Sequence, residues 1–189
     1  SITGLANNDP RDLARTSEVT ASLVMSRFET ADSGERYPLK RDAGLLVPVD
    51  PEVGKFEFFI DADADTELTV ELWDTGRPEN YVPKRFVVKD TVAVRKGQEQ
   101  WVRVNLPWKP KAACNAFIIL RANEHLDLHM ADSPLFGALI FQRGATPHAA
   151  KELEEVDSTQ LKVEWSMKPL MRKMFCFRSI MPTNAYAPE

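Results

Sequence analysis

Glycine is scarce in this chain, at 8 of 189 residues, and its scarcity limits the chemistry available. No Gly-x-Gly-x-x-Gly follows an apolar run, there is no Walker loop, and no Gly-x-Ser-x-Gly elbow occurs. The chain therefore carries no dinucleotide-binding turn, no P-loop and no hydrolase nucleophile turn. Cysteine is scarcer still. Cys114 and Cys176 are too few and too distant for a zinc pair or a disulfide framework, and they read as two buried free thiols. Long runs of Lys and Arg are missing and the formal charge is −4, which excludes the basic footprint of a nucleic-acid binder. No apolar stretch reaches the length of a membrane span. The opening "SITGLANNDPRDLARTSEV" lacks the charged start and apolar middle of a signal peptide.

What is present points to strands. Apolar residues make up 43% of the chain and charged residues 28%, a balance that can bury a real core, and 13 prolines punctuate it. "KFEFFID" (55–61) sets Phe56, Phe58 and Ile60 against Glu57 and Asp61; "ELTVELW" (67–73) sets Leu68, Val70 and Leu72 against Glu67, Thr69, Glu71 and Trp73. Both alternate with the period of a half-buried strand, and "DADADT" between them suits a hairpin loop. "FVVKDTVAVR" (86–95) and "QWVRVNL" (100–106) form a second pair around "KGQE", where Gly97 suits a tight turn. "NAFIILRA" (115–122) is apolar throughout, as a central strand covered on both faces would be. Runs at 19–28, 126–130 and 135–142 complete a series of at least eight strands.

Many closely spaced strands with short turns predict an all-β fold: an antiparallel two-sheet sandwich of jelly-roll type. Helix signals are confined to "PRDLART" and to "HAAKELEEV" (148–156), a short connector helix. The division that follows is a β-sandwich over 1–147, a helical connector over 148–160, and a terminal strand pair within 161–189 built from "KVEWS" and "MFCFRSI". The last run is apolar on both faces. It needs either cover from the sandwich or a following module over a patch near Phe175, Phe177 and Tyr186.

Three constellations could carry chemistry. In "HLDLH", His125, Asp127 and His129 share one strand face. A His-x-Asp pair is half of the iron-binding facial triad, and His148 is the one remaining histidine that could complete a set of His125, Asp127 and His148. Same-face neighbours stand roughly 6.6 Å apart along a strand, too far for 125, 127 and 129 all to reach one ion, so the plainer reading is a polar strand face. In "DADADTE", Asp61, Asp63 and Asp65 imitate a calcium loop that lacks its sixth-place glycine and twelfth-place glutamate; a solvated acidic hairpin is the plainer reading. Trp73, Tyr81, Trp101 and Trp108 fall at strand ends or in loops, where an indole or phenol face could stack on a sugar ring or cover an interface. Aspartates and glutamates are plentiful, but nothing singles out a glycosidase pair.

With the strands placed, "WDTGRPENYVP" (73–83), "QWVRVNLPW" (100–108), "NAFIILRANEHLDLHMAD" (115–132) and the terminal "FCFRSIMPTNAYAPE" occur in that order. Together they resemble, over roughly residues 10–189, the region after the flavin domain in large bacterial FAD-dependent oxidoreductases, including proteins of the xanthan lyase-like group. In that family a galactose-binding-like β-sandwich follows the catalytic part, and a phrase similar to the terminal one opens a discoidin-like module. The resemblance implies an accessory domain cut from a larger enzyme. FAD then belongs to the parent rather than to this segment, the partner is the parent's catalytic flavin domain, and a carbohydrate-like ligand is a further partner. No catalytic or FAD-contacting residue carries over, because the nucleotide-binding fingerprint has no counterpart here. An independent carbohydrate-binding module and a jelly-roll non-haem iron oxygenase are the alternatives.

Overall fold

A computed structural model describes residues 26–49, 53–80, 82–112, 114–132, 139–142 and 173–180. These residues form two antiparallel sheets packed face to face, with twelve strands among them. The fold is all-β, as the alternation predicts. The connector helix, the 162–166 strand, His148, Tyr81 and Tyr186 lie outside the described residues. No helix among the described residues is long and apolar enough to cross a membrane.

In chain order the strands are β1 (Ser26–Glu29), β2 (Arg36–Pro38), β3 (Ala43–Val49), β4 (Val53–Ala62), β5 (Thr66–Asp74), β6 (Arg85–Val94), β7 (Gly97–Trp108), β8 (Cys114–Leu120), β9 (Leu126–Ala131), β10 (Leu139–Gln142), β11 (Met174–Phe175) and β12 (Phe177–Ile180). The smaller sheet runs β10-β3-β8-β5-β6. β8 lies at its centre and all seven of its residues are buried, as its unbroken apolar run requires. Its neighbour β3 was not marked by alternation, because Gly44 and Pro48 are residues that ordinarily argue against an inner strand. Pro48 sits beyond the end of β10, where β8 alone pairs with β3 among the described residues.

The larger sheet is organised around a fork. β4 and β9 pair directly only at Ile60–Ala62 with Leu126–Leu128, and then diverge. β12 fills the gap on the β4 side (Phe177 opposite Phe58), and β11 fills it on the β9 side (Phe175 opposite Met130). Cys176 is the vertex of this V. Its N–H donates to His129 O at 2.8 Å, and its carbonyl accepts from Phe59 N at 3.0 Å. β7 covers the other edge of β4, β2 the other edge of β9, and β1 the outer edge of β12.

Residues 174–180 are therefore built into the larger sheet of the sandwich. Met174, Phe175, Cys176, Phe177 and Ile180 are all buried, so the apolar patch expected at Phe175 and Phe177 is closed. The two-faced apolar pattern found its cover within the main sheet.

Between the sheets lies one core. Phe56, Phe58 and Ile60 of β4, Val102, Val104 and Leu106 of β7, and Leu126, Leu128 and Met130 of β9 meet Leu68, Val70 and Leu72 of β5 and Ile118 and Leu120 of β8. A second apolar layer lies on the opposite face of the smaller sheet: Leu46, Trp73, Phe117, Ile119 and Phe141, with Val82 and Phe86 packed against it. Cys114 and Cys176 are free and buried. Burial pushes their thiols up, to about 11 and about 12, which leaves them unreactive.

Candidate functional site

The outer face of the larger sheet carries a charged strip that follows from strand register. Glu57 stands directly between Arg103 on β7 and Arg178 on β12. Glu57 is buried, and its two oxygens divide between these arginines: Arg103 Nε donates to Oε2 at 2.9 Å and Arg178 Nε donates to Oε1 at 2.6 Å. Arg178 then lies over the Trp101 ring, 4.0 Å from its centroid. Trp101 meets Phe59 at 4.8 Å, and Phe59 meets the His129 ring at 4.5 Å.

His129 is fully buried between two carboxylates: Nδ1 lies 3.0 Å from Asp32 Oδ1, and Nε2 lies 2.7 Å from Asp61 Oδ1. An ionised carboxylate only accepts, so both bonds are complete when both ring nitrogens carry hydrogen. Asp61 also takes Arg36 Nε at 2.6 Å and the Glu99 N–H at 2.8 Å. Burial pushes its carboxyl up, but the Glu99 N–H, His129 and Arg36 outweigh that and hold it at about 2. Glu99 adopts a left-handed φ of 55°, at a register shift in β7 that turns its N–H toward this carboxylate. Burial likewise pushes the Asp32 carboxyl up, but the Gly34 N–H and His129 outweigh that and hold it below the usual carboxylate range.

The "HLDLH" face is as the alternation predicts, but its members part company. His125 is half-exposed and pairs with Asp63 at 2.8 Å, while His129 is enclosed with Asp32 and Asp61. Asp127 stands opposite Asp61 in register. No group of three or more His, Cys, Asp or Glu side chains among the described residues is placed to hold a metal ion, and His148 lies outside them. "DADADTE" is not a hairpin loop, because β4 and β5 belong to different sheets, while Asp63 and Asp65 stay exposed as a solvated acidic stretch should. Asp61 is locked to Arg36 and His129, Asp63 to His125, and Asp65 accepts the Lys96 N–H at 2.8 Å, so the three carboxylates serve three separate contacts.

The aromatic candidates are not brought together. Trp73 lies on the strand face that alternation assigned, yet it is only 1% exposed, within the second apolar layer, with its Nε1 donating to Glu71 at 3.0 Å. It offers no open indole face for a sugar. One face of Trp101 is occupied by Arg178. Trp108 is different: half-buried, it packs against the core and lines an open cleft of about 500 Å³ at one end of the sandwich.

This cleft is shaped by the connections β5–β6 and β7–β8, and its described lining includes Asp74, Arg85, Trp108, Lys109, Lys111 and Cys114. Asp74 and Gly76 form one wall. The Asp74 carboxylate accepts the Gly76 N–H at 2.8 Å, with Gly76 at φ 91°, and Arg85 at 3.1 Å. Asn115, at the start of β8, donates to Pro78 O at 2.6 Å and to Asn80 O at 3.2 Å, and Asn80 donates to Thr75 O at 3.0 Å. Residues 74–80 are thus tied to the start of the central strand β8. Arg85, Lys109 and Lys111 were not singled out in sequence; the Asp-Thr-Gly turn was the available signal for this wall. No family model, curated protein or solved structure matches this chain.

Proposed function

We propose that this chain is a non-catalytic accessory domain of a larger FAD-dependent oxidoreductase, a sandwich of galactose-binding-like, jelly-roll type whose end cleft takes a carbohydrate-like ligand. The observation that carries the binding part is Trp108. Its indole stays half-buried in a cleft of about 500 Å³, together with Asp74, Arg85, Lys109 and Lys111. A cleft of this size is large enough to take a small ligand. A pyranose ring has an apolar C–H face to lay on an indole and hydroxyls for the surrounding donors. The oxidoreductase part is supported by the ordered phrases that resemble that family across residues 10–189.

Two measurements test the two parts. Calorimetric titration with an oligosaccharide panel should give saturable binding that Trp108→Ala weakens at least about tenfold, as loss of a stacking aromatic does. Equal binding by the variant would remove the cleft from the reading. Sequencing the reading frame upstream of Ser1 should reveal a Gly-x-Gly-x-x-Gly unit. A frame without one would leave an independent carbohydrate-binding module using the same cleft.

A further inference from the structure

The connection from β1 to β2 passes from the outer edge of β12 to the far edge of β9, and His129 fastens it on the way. Ser33 N donates to Met130 O at 2.9 Å, and Met130 N donates back to Glu35 O at 2.9 Å. Between these ties Asp32 meets Nδ1 of His129 at 3.0 Å, while Nε2 of the same ring meets Asp61 on β4 at 2.7 Å. Cys176 lies under the start of this connection. Phe175 and Phe177 face the core, so alternation turns Cys176 to the other side, where its Sγ donates to the Thr30 carbonyl at 3.5 Å. The thiol is buried.

Among the described residues, the charged groups around the ring come from every element packed on it. Arg36 of β2 stands opposite His129 in register and donates to Asp61, and Glu99 of β7 adds its N–H there. Asp127 of β9 is opposite Asp61, Glu35 pairs with Lys173 at 2.7 Å, and Arg178 lies on Trp101 beyond Phe59. Asp61 is held at about 2 and Asp32 below the usual carboxylate range, so both stay ionised near neutral pH. Carboxylates, guanidinium groups and ammonium groups keep one charge there. Imidazole is the side chain whose ordinary titration falls in that range.

We infer that His129 makes segment 30–36 a pH-sensitive latch over Cys176, fastened while the ring carries both hydrogens and released as it gives one up. A neutral ring has one N–H for two carboxylates. The hydrogen stays on Nε2, because Asp61 is fixed on a strand and also receives Arg36 and the Glu99 N–H. Nδ1 then turns a lone pair toward Asp32 Oδ1, and acceptor faces acceptor at 3.0 Å. Asp32 is the partner that yields. It sits on a connection and its side chain is 35% exposed, against 14% for Asp61. The latch therefore loosens on the alkaline side of the ring's titration, opposite in sense to the acid loss that protonation of Asp61 brings.

The test uses the whole 189-residue chain carrying Cys114→Ser, so that Cys176 is its one thiol. Ring and amide nitrogen–proton correlation spectra are followed from about pH 5 to about pH 9, with the His129 ring assigned by the signal that His129→Gln removes. As the ring loses a hydrogen, the amides of residues 32–36 should shift with the same midpoint. Maleimide labelling of Cys176, divided by the rate of the denatured chain at each pH, should rise about tenfold over that range, the equivalent of one buried hydrogen bond. Asp32→Asn should flatten the rise, because a carboxamide can turn its oxygen or its NH2 to suit either ring form. His129→Gln offers one donor and one acceptor, as the neutral ring does, and should label at about pH 5 as fast as the parent at about pH 9; a thermal melt checks its fold. A ring that loses its hydrogen while residues 32–36 and the labelling stay unchanged would overturn the inference. So would a ring whose protonation is constant across the range, or a rise of the same size in Asp32→Asn.

Discussion

Asp61 shows how one side chain can turn an exposed-looking pattern into a structural lock. In sequence it is the first residue of an acidic loop. In the fold it accepts hydrogen bonds from His129, Arg36 and the Glu99 backbone, and its carboxyl is held at about 2 instead of 3.8. A carboxylate depressed in the folded state stabilises in full above its unfolded pKa, and that contribution is lost as pH falls toward the folded value. For Asp61 the window therefore runs from about 4 down to about 2, and Asp32, shifted in the same direction, contributes in the same acid range. Asp61→Asn should cost about 2 kcal/mol at pH 6, and the gap to the parent should close between pH 4 and pH 2 in urea titrations. A gap independent of pH would show that the charge of Asp61 contributes nothing. Glu57, divided between Arg103 and Arg178, makes a parallel case. Glu57→Gln leaves two cations facing one neutral group and should cost about 2–3 kcal/mol in the same assay.

At the scale of elements, one hydroxyl ties the two arms of the V formed by β11 and β12. Thr30 Oγ1 donates to Phe175 O at 2.7 Å and accepts the Phe177 N–H at 3.0 Å, joining the two arms across the bend at Cys176. Thr30 is buried, so no water stands ready to replace it. Thr30→Val keeps the shape and removes both bonds; it should cost about 1–3 kcal/mol by denaturant melts, and Thr30→Ser should recover most of that. Equal losses for Val and Ser would point to packing rather than to the hydroxyl. Alternation made β4, β5 and β7 legible, and an unbroken apolar run did the same for β8, which is covered on both faces. It could not reveal that "MFCFRSI" breaks at Cys176 into two strands with different neighbours, since the bend is imposed by the fork between β4 and β9. Nor could it mark β3, where Pro48 is tolerated because it lies beyond the end of β10.

Taken whole, the sandwich draws its larger sheet from residues 26–29 at one end of the described chain and 174–180 at the other. Met174, Phe175, Phe177 and Ile180 are buried, and their burial contributes roughly 6–12 kcal/mol, comparable to the net stability of an ordinary domain. A chain ending at residue 172 should therefore show no cooperative thermal transition by circular dichroism. A cooperative melt within a few degrees of the full chain would mean that the V is an appendage. The sequence by itself determined the fold class, the inward faces of the main strands and the two inert thiols, because period-two alternation and residue burial are local properties. Tertiary structure decided the rest. It enclosed Trp73 beneath residues from β3, β8 and β10, joined Asp32, Asp61 and His129 from three distant segments, and placed Trp108 in one cleft with Arg85, Lys109 and Lys111. Those groupings depend on which strands become neighbours, and strand pairing is settled by the competition of whole faces for cover, which no short stretch of sequence contains.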